Sequence, residues 1–194
     1  MTQAEGVGND RALVLDGPGV GRVMSRLAHE ITERHPEDLD RVVIAGIREG
    51  GIAVALSLRD SLRRIGRRDV PLVALDVSGF RDDRPRQPVV QKPSGVESWE
   101  PLDPADASPE RSVVILVDDV IQTGRTMRAA FDAVSSRGRP AAIEMAVLVD
   151  RGGREVPVRP NYVGKNLPVG DRDWVEIELT PAPGDDGVYV VRRP

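Results

Sequence analysis

Apolar residues at Val20, Val23, Met24, Leu27, Ala28 and Ile31 recur at helical spacing, so residues 20–34 are predicted to form an amphipathic helix. Its opposite face collects Arg22, Ser25, Arg26 and His29, which stand at i, i+3, i+4 and i+7. Residues 41–47 form a nearly unbroken apolar run and predict a strand that ends in the loop Arg48-Glu49-Gly50-Gly51. A helix follows from about Ile52 to Ile65, and residues 70–77 predict the next strand. After a long irregular stretch, Val113–Val117 reads as a buried strand and the segment from about Thr126 to Arg137 as a helix. Residues 142–149 form another apolar strand ending at Asp150, and residues 162–166 a short strand or turn. Val175, Ile177 and Leu179 alternate with Glu176 and Glu178, the pattern of a half-buried strand, and residues 188–191 close the chain as another. Strands alternate with helices through the middle, which predicts an α/β domain with a mostly parallel sheet covered on both faces.

The irregular stretch spans residues 81–110. It carries six prolines (Pro85, Pro88, Pro93, Pro101, Pro104 and Pro109) among charges and little apolar periodicity. A segment of that length inside a domain reads as a mobile loop over a binding site. Residues 1–12 read as a flexible tail, leaving residues 13–194 as one domain.

The chemistry concentrates after the strand at 113–117. Two carboxylates, Asp118 and Asp119, stand at its carboxyl end, followed by Thr123-Gly124-Arg125-Thr126 and the start of a helix. Carboxylates at the carboxyl edge of a parallel sheet can accept hydrogen bonds from a diol. The glycine turn points backbone N–H groups and hydroxyls at one spot over the positive end of a helix dipole, where a phosphate is favoured. The order therefore predicts a ribose 5-phosphate site.

Composition narrows the setting. The chain has 194 residues, 40% hydrophobic but only 3% aromatic, so its core is built from aliphatic side chains. It has no cysteine, which excludes disulfides and thiolate metal sites. No apolar run approaches the roughly 20 residues of a membrane span, and the N-terminus lacks a signal-peptide pattern. A cytoplasmic protein with no membrane partner is expected. The net charge of −4 argues against a wholly basic nucleic-acid-binding domain but leaves room for a local basic face.

The string Val113–Thr126 resembles the phosphoribosyl pyrophosphate (PRPP) motif of the type I phosphoribosyltransferases. Further segments sharpen the resemblance: residues 26–31, Phe80-Arg81-Asp82-Asp83, Gly138-Arg139-Pro140, residues 146–152 and Tyr162-Val163-Gly164-Lys165-Asn166. In that order they are similar to the PyrR family of bifunctional pyrimidine-operon regulators and uracil phosphoribosyltransferases, over roughly residues 13–166. The resemblance implies the type I fold with a small hood and a long flexible loop. It implies transfer of phosphoribosyl from PRPP to uracil, giving UMP, with Mg²⁺ carried mainly on the pyrophosphate and no direct protein ligand. By the match, Asp118 and Asp119 hold the ribose hydroxyls, and Thr123, Gly124, Arg125 and Thr126 cradle the 5-phosphate. Arg81 and Asp82 lie on the loop that closes over pyrophosphate. Lys165 and Asn166 stand where the uracil hood begins. The resemblance also implies UMP-dependent binding of pyr leader mRNA, through positions matching Ser25, Arg26, His29, Arg154, Arg159 and Lys165, beside the Arg22 face read from periodicity. A homo-oligomer, dimer or higher, is implied too.

The chain departs from the family at three places. The family's Lys-Thr-Arg-Gly pyrophosphate loop is Arg48-Glu49-Gly50-Gly51 here, which removes an arginine and sets a carboxylate beside a polyanion site. Either Arg48 swings in to compensate or Glu49 reaches Mg²⁺. A family tyrosine is Gln122, and a family histidine near the RNA surface is Gly153. Two other readings follow. A transferase for a purine or orotate is disfavoured by Gln122, where purine enzymes place an aspartate. A PRPP- or UMP-sensing RNA-binding protein with little catalysis is favoured by Glu49 and Gly50.

Overall fold

The computed structural model describes residues 10–37, 39–48, 50–66, 69–82, 97–98, 112–170, 172–179 and 186–192. Strand β1 (Asp10–Asp16) leads into helix α1 (Gly17–Arg34). The Asp16 side chain accepts from the Gly19 N–H at 2.8 Å and caps the helix. A single 3-10 turn, Leu39–Arg41, precedes β2 (Val42–Ile47), and α2 (Gly50–Gly66) precedes β3 (Leu72–Leu75). Then come β4 (Glu97–Ser98), β5 (Val113–Ile121), α3 (Arg125–Ser135) and β6 (Ala142–Asp150). Strands β7 (Tyr162–Asn166), β8 (Trp174–Glu178) and β9 (Gly187–Arg192) complete the chain.

Six strands form one parallel sheet in the order β4-β3-β2-β5-β6-β7. From the centre the chain winds outward in both directions, so the order reverses between β2 and β5. Clefts for ligands form at such a switch point, outside the carboxyl ends of the strands. Helices α1 and α2 cover one face, where Met24, Leu27, Ile31 and Leu58 pack on Ile44, Ile115 and Leu148. Helix α3 covers the other, with Met127, Ala130 and Val134 on Ala45, Val114 and Leu116. Burial on both faces explains why β2 and β5 read as continuous apolar runs.

A second, antiparallel sheet of order β1-β9-β8 forms the hood. It corrects the end of the tail expected over residues 1–12, of which residues 1–9 lie outside the described residues. Asp10, Arg11 and Ala12 pair with Arg192, Val191 and Val190, because the returning C-terminal strand supplies a partner that local sequence does not reveal. Arg11 also bonds Glu178 at 2.6 Å and stacks on Tyr189, 3.6 Å from its ring centroid. The mobile loop expected over 81–110 lies mostly outside the described residues. Within it, Glu97 and Ser98 pair with Val73 and Ala74, adding a short edge strand where irregular chain was expected.

Candidate active site

Strand β5 is longer than its apolar run. It continues to Ile121, so the two carboxylates lie in the sheet rather than after it. Asp118 is buried, 7% exposed, and Asp119 is half-buried. The Asp119 N–H donates to Asp118 Oδ1 at 3.1 Å, and the Val120 N–H to Asp119 Oδ1 at 2.7 Å. Burial pushes the Asp118 carboxyl well above its ordinary value and the neighbouring Asp119 charge adds to that, while Arg81 pulls it back.

The turn that follows has a geometry that can receive an anion. Gly124 caps α3 with φ +87°, and a Cβ there would lie 2.4 Å from Val158 Cγ2. Glycine alone meets both demands without strain. The Arg125 N–H reaches Thr123 Oγ1 at 3.3 Å. Helix α3 starts at Arg125, so its first N–H groups have no intrahelical acceptor and can donate to a phosphate oxygen. Residues after β6 strap this turn down. Glu155 and Val156 both donate to Thr123 O at 3.0 Å, and Arg154 donates to Gln122 O at 2.7 Å.

A cavity of about 300 Å³ gathers these parts. Asp118, Thr123, Gly124 and Thr126 line it beneath Trp174 and Val175 of the hood, with Arg81 and Arg151 also on its wall. Arg151 Nη2 donates to Asp173 O at 2.9 Å, tying the chain that leads into β8 to the sheet. Trp174, Val175 and Arg151 went unassigned in the sequence. The available signal was a tryptophan at the start of a half-buried strand in a chain with only two tryptophans.

Several expected residues stand differently. The Arg125 guanidinium faces away from the cavity, toward Asp82 at 3.1 Å and Glu155 at 2.8 Å, so this residue offers the turn its backbone. Gly50 and Gly51, expected in a loop, open α2. A Cβ on Gly50 would come within 1.8 Å of Asp119 Oδ2, so the missing side chain is what lets that carboxylate reach the helix N-terminus. Arg48 is half-buried and its N–H donates to Leu75 O at 3.0 Å, while Glu49 lies outside the described residues. Lys165 and Asn166 pair with Val149 and Asp150 on β6 and are not among the residues lining the cavity.

The basic positions also divide. Arg22 is 75% exposed beside Asp16, and Arg159 is exposed. Arg26 spends its guanidinium on Glu30 and on the carbonyls of Val163 (3.0 Å) and Gly164 (2.6 Å) on β7. His29 Nδ1 lies 2.8 Å from Ser25 O on its own helix. Arg154 turns inward, bonding Asp150, Val158 O and Gln122 O.

An acidic strand end, an anion turn and a hooded cavity at the switch point together define a phosphoribosyltransferase. A family model described as the phosphoribosyl transferase domain matches residues 12–181. The fold matches solved hypoxanthine phosphoribosyltransferases, among them a Trypanosoma cruzi enzyme at TM-score 0.69 and 20% identity over 96% of each chain. Sequence relatives are closer. A "Bifunctional protein PyrR" of Streptomyces coelicolor is 44% identical over 93% of this chain and 90% of its own. One from Streptococcus thermophilus is 39% identical over 92% and 95%. Among phosphoribosyltransferases, this chain belongs to the PyrR family.

Proposed function

We propose that the protein transfers the phosphoribosyl group of PRPP to uracil and regulates pyrimidine biosynthesis by binding pyr leader mRNA when UMP is bound. The observation that carries the transfer is the shared cavity of Asp118, Arg81, Thr123, Gly124 and Thr126. In the reaction the C1–O bond to diphosphate breaks with its electron pair, uracil N1 bonds C1, and the N1 proton leaves. The work of the protein is orientation and charge neutralisation. The turn holds the 5-phosphate through backbone N–H groups and threonine hydroxyls. Asp118 and Asp119 accept from the ribose hydroxyls and favour the positive charge that develops at C1. Arg81 meets the diphosphate as it departs, and the hood limits water.

Mg²⁺ fits this donor set as a partner of the substrate. Asp118 and Asp119 offer hard oxygen atoms, and among the described residues no cluster of three acidic or histidine side chains could hold a metal alone. When bound with PRPP, the ion neutralises diphosphate charge.

For RNA, exposed Arg22 and Arg159 are the cationic positions best disposed to meet phosphates. Ser25, Arg26, His29, Arg154 and Lys165 belong to the same reading, Arg26 and Arg154 with most of their donors already engaged. We assign the protein to the cytoplasm, as a homo-oligomer whose contacts would cover exposed Leu13 and Phe131. A sensor with little catalysis is the second reading. It is favoured by Gly50, because Asp119 occupies the space an arginine Cβ would need.

Labelled uracil with PRPP and Mg²⁺, beside filter binding of leader RNA with and without UMP, tests both activities. Labelled UMP and UMP-enhanced RNA retention support the full reading. RNA retention without UMP formation selects the sensor. Conversion of hypoxanthine or orotate in place of uracil overturns the choice of base.

A further inference from the structure

Arg81 and Asp82 are neighbours that face opposite ways. Arg81 lines the cavity with Asp118. Asp82 turns to α3, where Oδ2 accepts from Arg128 Nη1 at 3.0 Å and Arg125 Nη1 at 3.1 Å. Both arginines stand in the opening turns of α3, the helix whose N-terminus carries the anion turn. Arg125 continues through Nε to Glu155 at 2.8 Å, and Arg128 through Nη2 to Asp132 at 3.3 Å. Asp82 is thus the central acid of a charge network joining the exit from β3, the start of α3 and the strap after β6.

We propose that Asp82 is a positioning residue for phosphoribosyl transfer, clamped by Arg125 and Arg128 so that Arg81 meets the diphosphate of a ligand whose 5-phosphate is held by the same helix. The inference rests on the transferase reading above. The ligand has an anion at each end, and catalysis needs both ends in register. The 5-phosphate end is fixed by the backbone of α3. Arg81 leaves β3 on a separate stretch of chain, through a turn in which Phe80 N–H donates to Val77 O at 3.0 Å. Two charge-assisted bonds on the very next residue bring that stretch onto α3, so one rigid element references both ends. An exposed ion pair is weak when isolated, but a carboxylate shared by two arginines that are themselves paired loses less side-chain freedom per bond. Small misplacements of a group that meets the reacting ligand have large kinetic effects. The Arg81 charge already acts on Asp118, which agrees with an inward guanidinium.

A double-mutant cycle over Asp82→Asn and Arg81→Ala tests the clamp, read as PRPP affinity by calorimetry and as kcat/KM for PRPP. Asp82→Asn alone should lower kcat/KM about three- to tenfold, with little change in melting temperature. In the Arg81→Ala background the same change should have an effect of about twofold or less, since the group it positions is gone. Asp82→Glu should recover most of the loss, and high salt should bring the unmutated protein toward the Asn variant. An Asp82→Asn effect of equal size in both backgrounds, or none in the unmutated background, overturns the clamp and leaves the transferase reading standing. If PRPP binds but uracil is not the acceptor, the cycle is decided on PRPP affinity. An unmutated protein that binds no PRPP overturns the transferase reading and the clamp together.

Discussion

The Asp119 carboxylate lies against the Cα of Gly50: a methyl group built there would sit 1.8 Å from Oδ2 and 2.3 Å from Cγ. The residue that departs from the family's pyrophosphate loop is therefore matched to the acidic pair. At the next position the obstacle is backbone rather than side chain, because a Cβ on Gly51 would meet the Val117 carbonyl oxygen at 2.4 Å.

These two glycines should respond differently to alanine. At Gly50 the obstacle is the end of a side chain, which can rotate. Gly50→Ala should change stability by less than about 1 kcal/mol yet weaken PRPP binding by displacing Asp119. At Gly51 the obstacle is backbone, and Gly51→Ala should cost about 1–3 kcal/mol. Urea midpoints and PRPP calorimetry on both variants check this, and equal stability loss at the two positions would contradict it.

Asp118→Asn should stabilise the ligand-free protein near neutral pH while weakening PRPP binding about tenfold or more. Burial raises the Asp118 carboxyl above its unfolded value. Between those values the folded state keeps a proton that the unfolded state has lost, so stability falls as pH rises through that window. Asparagine does not ionise and escapes the loss. Denaturation midpoints across that pH range should diverge in favour of the variant as pH rises. PRPP binding to the unmutated protein should release protons there.

Glu144, 5% exposed near the amino end of β6, is a structural counterpart far from the cavity. It accepts from Tyr162 Oη at 2.6 Å, Arg34 Nε at 2.8 Å and His35 Nε2 at 3.0 Å. Burial pushes its carboxyl up, but the bonds from Tyr162 and His35 outweigh burial and hold it below its ordinary value. The stability it contributes is present above the unfolded carboxylate value and lost as pH falls through the folded one. Glu144→Gln should therefore flatten the acid limb of the stability profile, and Tyr162→Phe should cost about 1 kcal/mol. Kinetic constants for PRPP should not move in either variant.

Arg22 and Arg26 separate RNA contact from packing. Arg22→Ala should leave stability within about 0.5 kcal/mol, lower leader-RNA affinity and reduce the salt slope by about one. Arg26→Ala should lower RNA affinity too, but also cost about 1–2 kcal/mol, because its guanidinium holds two β7 carbonyls. UMP formation by the Arg22 variant should stay unchanged. Unaltered RNA affinity in both variants would remove the α1 face from the RNA surface.

Short-range pattern was enough for much of this protein. The stripe Val20–Ile31 marked α1 and its buried side, and the run Val113–Val117 with the acids, glycine turn and helix marked the stretch that lines the cavity. Such features repeat with the period of one helix or strand, so the chain carries them locally. What joins distant stretches was decided only by tertiary structure. The hood pairs β1 with β9, and Trp174 comes to face Asp118, through packing between residues far apart in sequence. The Arg125 guanidinium turns to Asp82 and away from the cavity because a carboxylate from another strand's exit stands within reach. Gly50 reads as a lost arginine until β5 brings Asp119 against it. Each of these depends on strand register and on which faces are covered, and one residue's neighbours in sequence do not specify either.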